Sequence, residues 1–307
     1  MSSFAILGTG AVGGYYGGML QKSGQDVHFL VRSDYAVLKK LGLRVDSING
    51  NFHLQSVQAY ASVDAMPRCD VVIVSWKTTE NKMLSQILPK VVKPGGVVLV
   101  LQNGLDPERQ AAPFAGEAKI ISGLCFLCAK KEGPGWIRHL DYGAITLAAF
   151  NQELSGPMGI TPEMLRVSRA LQAAGIETNL QEDWWQARWR KLVWNVPFNG
   201  LCALHGRTTS ELLGEPSLRA LAKALMLEVV SGAKSCGVTL PENFVDRMLE
   251  ATDAMAPYEP SMKLDRQAGR PMELEAIYGR TVQEIVRTGG QAPLIDTLWT
   301  QLHSLVN

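Results

Sequence analysis

Phe4-Ala5-Ile6-Leu7-Gly8-Thr9-Gly10-Ala11-Val12-Gly13 is the stretch on which the reading of this chain turns. Four apolar residues run directly into a Gly-x-Gly-x-x-Gly. The glycine-dense segment from Gly13 to Ser23 then reads as a helix stopped by Gly24. In such a strand–loop–helix the first glycine permits a tight turn and the second lets backbone approach a pyrophosphate. The third allows close helix–strand packing, and the helix N-terminus offers N–H donors and a positive dipole end. The pattern therefore predicts a dinucleotide site at Gly8, Thr9, Gly10, Ala11, Val12 and Gly13.

The surrounding chain supports that context. Val27 to Val31, Val71 to Ser75 and Val97 to Leu101 are short, almost continuous apolar runs. Strands of this kind are buried on both faces, as in a parallel sheet covered by helices, and their alternation with helical patterns implies a doubly wound α/β domain. Leu43–Ile48 and Asn51–Val57 flank Asn49-Gly50, a pair suited to a type I′ turn, which predicts a β-hairpin. Trp136–Phe150, centred on Asp141-Tyr142-Gly143, reads as a further antiparallel pair at the sheet edge. From about Gln181 the pattern becomes helical, with helices expected at Glu182–Leu204, Ser217–Gly237, Pro241–Met255, Pro271–Thr288 and Pro293–Leu305. The expected division is residues 1–180 and residues 181–307.

Composition excludes several classes. The 307 residues are 46% hydrophobic and 19% charged, with 30 Lys+Arg against 29 Asp+Glu. That near-neutral balance argues against nucleic acid or an anionic membrane as the main partner, since either calls for a large positive field. No uncharged apolar run approaches the roughly 18 residues of a membrane span. The five cysteines form no framework, so reduced thiols and a cytoplasmic location are expected. Cys125-Phe126-Leu127-Cys128 lies in an apolar run with no second pair, and the five histidines lack ligand spacing, so no metal site is expected.

The cofactor follows from the end of the second strand. Sites for NAD usually carry Asp or Glu there, for the ribose 2′-hydroxyl. Here Arg32-Ser33 follows, a cation and a small hydroxyl, with Asp34 past the expected position. Lys77, after the Val71 strand, adds a second charge at the same end. Together they favour NADP(H). In the second half Lys191, Asn195 and Asn199 recur every four residues and share one helical face among apolar neighbours. Buried polar groups need partners, and a substrate with a carboxylate and a carbonyl supplies them. Pro197 is expected to kink this helix. The polar segment Pro260–Glu275 joins two helices and, taken alone, reads as a solvated charge run.

Taken in order, Gly8-x-Gly10-Ala11-Val12-Gly13, Arg32, Lys77, Leu101-Gln102-Asn103-Gly104, the Lys191/Asn195/Asn199 helix and Ser261-Met262…Asp265…Gly269-Arg270-Pro271…Glu273 resemble the ketopantoate reductase (2-dehydropantoate 2-reductase) family across nearly the whole chain. The resemblance implies a Rossmann-like N-terminal domain and an all-α C-terminal domain. It implies NADPH-dependent reduction of the C2 ketone of 2-dehydropantoate to (R)-pantoate, for pantothenate and coenzyme A. By position it implies Lys191 as the catalytic lysine and Glu273 as a carboxylate orienting that lysine or contacting cofactor and substrate. Asn103 matches a residue near nicotinamide and substrate. Asn195 and Asn199 match substrate-orienting amides, Ser261 a substrate-carboxylate contact, and Arg32 and Lys77 the 2′-phosphate ligands. A homodimer is a candidate assembly. Pro197-Phe198 and the tryptophans at 184, 185, 189 and 194 depart from the pattern, which keeps reductases of other branched or aromatic 2-oxo acids, or a non-catalytic NADP-binding sensor, as alternatives.

Overall fold

The apolar run Phe4–Leu7 lies in the interior of a sheet, between two neighbouring strands, with successive side chains entering opposite cores. Phe4 and Ile6 join one apolar cluster, and Ala5 and Leu7 join the other; all four are fully buried. The structure is a computed structural model that describes residues 2–153 and 156–305. Its strands are β1 (Ser3–Leu7), β2 (Asp26–Leu30), β3 (Leu43–Ser47), β4 (Phe52–Leu54), β5 (Gln58–Tyr60), β6 (Cys69–Val74), β7 (Val92–Val100), β8 (Lys119–Gly133), β9 (Trp136–Ala149) and β10 (Thr178–Gln181). They form one sheet in the order β4-β3-β9-β8-β7-β6-β1-β2-β5, with β10 alongside β9. β5, β2, β1, β6, β7 and β8 run parallel to one another, and β8 pairs antiparallel with β9.

Helix α1 (Ala11–Lys22) packs Tyr15, Tyr16 and Leu20 onto the first cluster. The short α2 (Tyr35–Leu41) adds Leu38 to it, while α3 (Leu84–Val91) buries Leu84, Ile87, Leu88 and Val91 in the second. After α4 (Pro107–Ala111), α5 (Pro162–Ala173) returns to the first face through Met164, Val167 and Leu171. The sheet therefore carries helices on both faces, as a doubly wound α/β fold requires.

Two compact units emerge, Met1–Gln102 with Pro107–Trp184, and Asn103–Asp106 with Trp185–Asn307. The second is built from α6 (Trp184–His205), α7 (Thr209–Leu213), α8 (Pro216–Ser235), α9 (Phe244–Asp253), α10 (Ser261–Gln267), α11 (Arg280–Arg287) and α12 (Pro293–His303). A π-turn at Glu275–Gly279 leads into α11. No helix among the described residues is long and apolar enough to cross a membrane.

Several local expectations change. The Asn49-Gly50 hairpin forms, as β3 and β4, with Gly50 at φ +106°. Asp141-Tyr142-Gly143, however, does not turn the chain. Residues Trp136–Ala149 are one strand, antiparallel to β8, and the register passes from Phe126↔Ala144 to Leu127↔Tyr142. Gly143 is the extra residue of a β-bulge, with φ +136° beside Tyr142 at +58°. The turn of that hairpin is instead at Gly135, φ +66°. Pro293 begins α12, but Pro241 and Pro271 precede their helices, which start at Phe244 and after Glu273. The helix α6 runs unbroken through Pro197. The Pro260–Glu275 segment contains a helix, α10, and is not a solvated run: Lys263 and Asp265 are 5% and 2% exposed, paired with Glu259 and Arg270.

Gly13 is the tightest helix–strand contact of the motif. A Cβ there would overlap the Gly8 carbonyl oxygen and the Ser75 hydroxyl. Gly13→Ala is expected to destabilise the first unit by about 1–3 kcal/mol, the usual cost of overpacking. A urea titration of the purified variant followed by far-ultraviolet circular dichroism checks this, and an unchanged midpoint would contradict it.

Candidate active site

In the first unit the parallel pairing sets β1, β2 and β6 side by side, so their carboxyl ends share one edge of the sheet. Ligands of open α/β sheets bind at such edges. Gly8 adopts φ +100°, and a Cβ on it would sit 2.6 Å from the Trp76 backbone nitrogen. Ser75 donates its hydroxyl to the Gly8 carbonyl at 2.9 Å and holds the turn. Gly10 is the N-cap of α1; no side chain caps it, no acidic residue occupies the first turn, and nothing lies within 4 Å of a Cβ placed on it. Ala11 and Val12 begin the helix. Thr9 is 8% exposed, and its buried hydroxyl has no hydrogen-bond partner among the described residues. Uncapped helix N–H groups, open space over Gly10 and an orphaned hydroxyl together fit a diphosphate.

Beyond β2, Arg32 is a surface cation. Its side chain is 67% exposed and pairs with Glu80 at 2.9 Å. Such pairs contribute only about 0–1 kcal/mol, so an incoming phosphate competes with Glu80 readily. Glu80 donates its backbone N–H to the Lys77 carbonyl at 2.9 Å, which brings Arg32 to the turn that carries Lys77. Asp34 serves the fold instead. It is 4% exposed, bridged to Lys131 at 2.7 Å and accepts the Gly135 N–H at 3.0 Å.

In the second unit, α6 carries the polar stripe on a buried helix. Asn195 and Asn199 are 2% and 3% exposed, while Leu192, Val193, Val196 and Phe198 are at most 1% exposed. Lys191 is partly exposed. Asn195 donates Nδ2 to Oδ1 of Asn103 at 3.5 Å, so the structure brings those two predicted residues together. The Asn199 side chain has no hydrogen bond among the described residues. Tyr278, from the π-turn, donates its hydroxyl to the Val196 carbonyl at 3.0 Å. Complete burial pushes its phenol well above the ordinary value, which keeps it a donor. Gly200 admits that ring, since a Cβ would lie 2.5 Å from the Tyr278 hydroxyl.

Ser261 is the first residue of α10, and its hydroxyl makes no hydrogen bond among the described residues. Glu273 lies just before the π-turn, its carbonyl accepting the Ile277 N–H at 3.2 Å. At 6% exposure it is not a solvated helix-end charge. Trp184, Trp185 and Trp189 are core residues, at most 8% exposed. Sequence reasoning missed Arg188 and Glu80. Arg188 had a signal, three residues before Lys191 and on the same helical face; Glu80 had none, because its ion pair spans 48 positions.

None of the five cysteines forms a disulfide, and burial pushes the Cys69 and Cys202 thiols up to about 11 and about 12, which leaves these two unreactive. No cluster of potential metal ligands exists among the described residues.

The chain matches known proteins along nearly its whole length. Residues 4–152 match the family described as ketopantoate reductase PanE/ApbA, and residues 183–306 match its C-terminal counterpart. A 2-dehydropantoate 2-reductase of Nostoc sp. is 49% identical over 302 residues, spanning 98% of this chain and 94% of that protein. The crystal structure of a 2-dehydropantoate 2-reductase from Geobacter metallireducens GS-15 superposes with a TM-score of 0.93 at 39% identity, over 98% of this chain and 99% of the other. D-mandelate dehydrogenase with NADH and anilino(oxo)acetate shares the fold, with a TM-score of 0.88 at 22% identity, over 99% and 98% of the two chains.

An amide kept for a ligand contributes little to the fold. Asn199→Leu preserves the branching and heavy-atom count of the side chain and breaks no hydrogen bond within the described protein. Its thermal midpoint is expected to match or exceed that of the parent chain. A drop beyond about 4 °C, roughly 1–2 kcal/mol for a unit of this size, would assign Asn199 to structure.

Proposed function

The chain belongs to the ketopantoate reductase family, and from that membership we propose that it reduces 2-dehydropantoate to (R)-pantoate with NADPH, the reductive step toward pantothenate. The observation that carries the reading is the stripe of Lys191, Asn195 and Asn199 on a helix whose Leu192, Val193, Val196 and Phe198 are buried, with the Asn199 amide making no hydrogen bond among the described residues.

Within this reading, the backbone N–H groups after Gly10 and the orphaned Thr9 hydroxyl hold the pyrophosphate. Arg32 exchanges Glu80 for the 2′-phosphate, and Lys77 in the adjoining turn adds a second cation. This is the basis for preferring NADP(H) among nicotinamide dinucleotides. The chemistry supplied when the reduced nicotinamide is bound is hydride donation to C2 of the oxo acid. The Lys191 ammonium hydrogen-bonds the ketone oxygen, stabilises the negative charge that develops there and delivers the proton. Glu273, buried just before the π-turn, orients that ammonium or contacts the cofactor and substrate. Asn195 and Asn199 orient the oxo acid along α6, Ser261 takes its carboxylate, and Asn103 addresses the reacting end. Residues 1–180 carry the cofactor functions and residues 181–307 the substrate chemistry, with the Asn103 turn grouped with the latter. Five cysteines without a disulfide support a reducing, cytoplasmic setting, and sedimentation velocity checks the expected homodimer.

The reading is tested by steady-state NADPH oxidation with 2-dehydropantoate, 2-oxoisovalerate and phenylpyruvate as competing substrates. The highest kcat/KM is expected for 2-dehydropantoate. A preference for phenylpyruvate would make the chain a reductase of bulkier oxo acids, and saturable NADPH binding without turnover would make it a sensor. Lys191→Ala is expected to lower kcat by roughly 10²–10⁴-fold while NADPH still binds; near-normal turnover would remove the lysine from the chemical step. Arg32→Asp is expected to raise KM for NADPH and narrow its advantage over NADH, and an unchanged preference would free Arg32 of the 2′-phosphate.

A further inference from the structure

Four residues of the chain, Asn103–Asp106, group with the helical unit although they follow β7. Two of them hold left-handed backbone, Gly104 at φ +92° and Asp106 at φ +72°. Glycine adopts it freely; for Asp106, which carries a Cβ, it persists only where the surroundings impose it. Three successive residues are tied down. Asn103 Oδ1 accepts from Asn195 Nδ2 at 3.5 Å, the Gly104 carbonyl accepts from Arg188 Nη1 at 3.4 Å, and the Leu105 N–H donates to the Ala276 carbonyl at 2.8 Å. Gly104 also lies so close to Ala276 that a Cβ would overlap its carbonyl.

Arg188 is the charged member of this set and is 1% exposed. At about 100° per residue it projects from α6 within about 20° of Asn195 and Asn199, on the same face and two turns before Asn195. A guanidinium on a buried carbonyl makes a charge-assisted hydrogen bond, and its planar fork fixes direction as well as distance.

We propose that Arg188 is a positioning residue for the reduction: by holding the Gly104 carbonyl it sets the turn that presents Asn103 to the reacting groups. With Oδ1 engaged by Asn195, Asn103 presents its Nδ2 donor to an acceptor oxygen. The proposal rests on Asn103 acting in the reaction, as read above.

A double-mutant cycle on kcat/KM tests it, with Asn103→Ala, Arg188→Met and the double variant, and thermal midpoints measured for each. Arg188→Lys, which keeps the buried charge and most of the stem, runs the same cycle should the methionine variant fail to fold. Each single change is expected to lower kcat/KM by about tenfold or more, and the double variant to fall within about threefold of the weaker single, because Arg188 acts through Asn103. Arg188→Lys is expected to lie between the parent and Arg188→Met at a nearly parental midpoint. Losses that multiply while Asn103→Ala is itself impaired leave the reading of Asn103 standing and overturn the role of Arg188. Parental kcat/KM in Asn103→Ala removes Asn103 from the reaction and overturns both.

Discussion

Asn195 and Asn199 are amides 2% and 3% exposed on a helix whose other neighbours are Leu, Val and Phe. A buried amide left without partners costs roughly 1–3 kcal/mol, so a helix carrying two of them on one face is organised around what satisfies them. Asn195 finds Asn103, in a turn with left-handed backbone; Asn199 finds no partner among the described residues. Neighbouring segments brace this helix and the Asn103 turn. The π-turn at Glu275–Gly279 delivers Tyr278 to the Val196 carbonyl, Gly200 makes room for it, and Ala276 fastens Leu105. A π-turn is an uncommon device that recurs at functional sites, and here it sits two residues after the buried Glu273.

In the sheet unit the three glycines of the motif have different surroundings. Gly8 and Gly13 are used up by packing, against Trp76 and against the Gly8 carbonyl and Ser75, while Gly10 keeps open space over the start of α1. One motif thus performs three separate tasks with three glycines. The charges at the strand ends divide in the same way. Asp34 is committed to Lys131 and Gly135, and Arg32 is left in an exposed surface pair with Glu80.

Much of this was readable in the sequence because it is local. Leu7-Gly8-Thr9-Gly10 declares its turn within a few residues, Asn49-Gly50 sets its own hairpin, and the four-residue spacing of Lys191, Asn195 and Asn199 survives folding intact. What failed to be legible depends on distant partners. Tyr142-Gly143 has the composition of a turn, but β8 pairs along the whole of β9 and converts it to a bulge. Pro197 has the chemistry of a kink, yet α6 continues through it. Lys263 and Asp265 look solvated until Glu259 and Arg270 pair with them. Asn103 is adjacent in sequence to a sheet strand and belongs with the helices, through contacts to positions 195 and 276 that no local pattern encodes.

In the proposed reaction a hydride from the nicotinamide arrives at the C2 carbon of the oxo acid held along α6. Turnover of 2-dehydropantoate with NADPH deuterated on one face of nicotinamide C4, followed by mass spectrometry and proton NMR of the product, measures it directly. One face of the labelled cofactor is expected to yield pantoate carrying a single deuterium at C2, in one enantiomer. Deuterium absent from C2 with both faces labelled, while the cofactor is oxidised and pantoate accumulates, would contradict it.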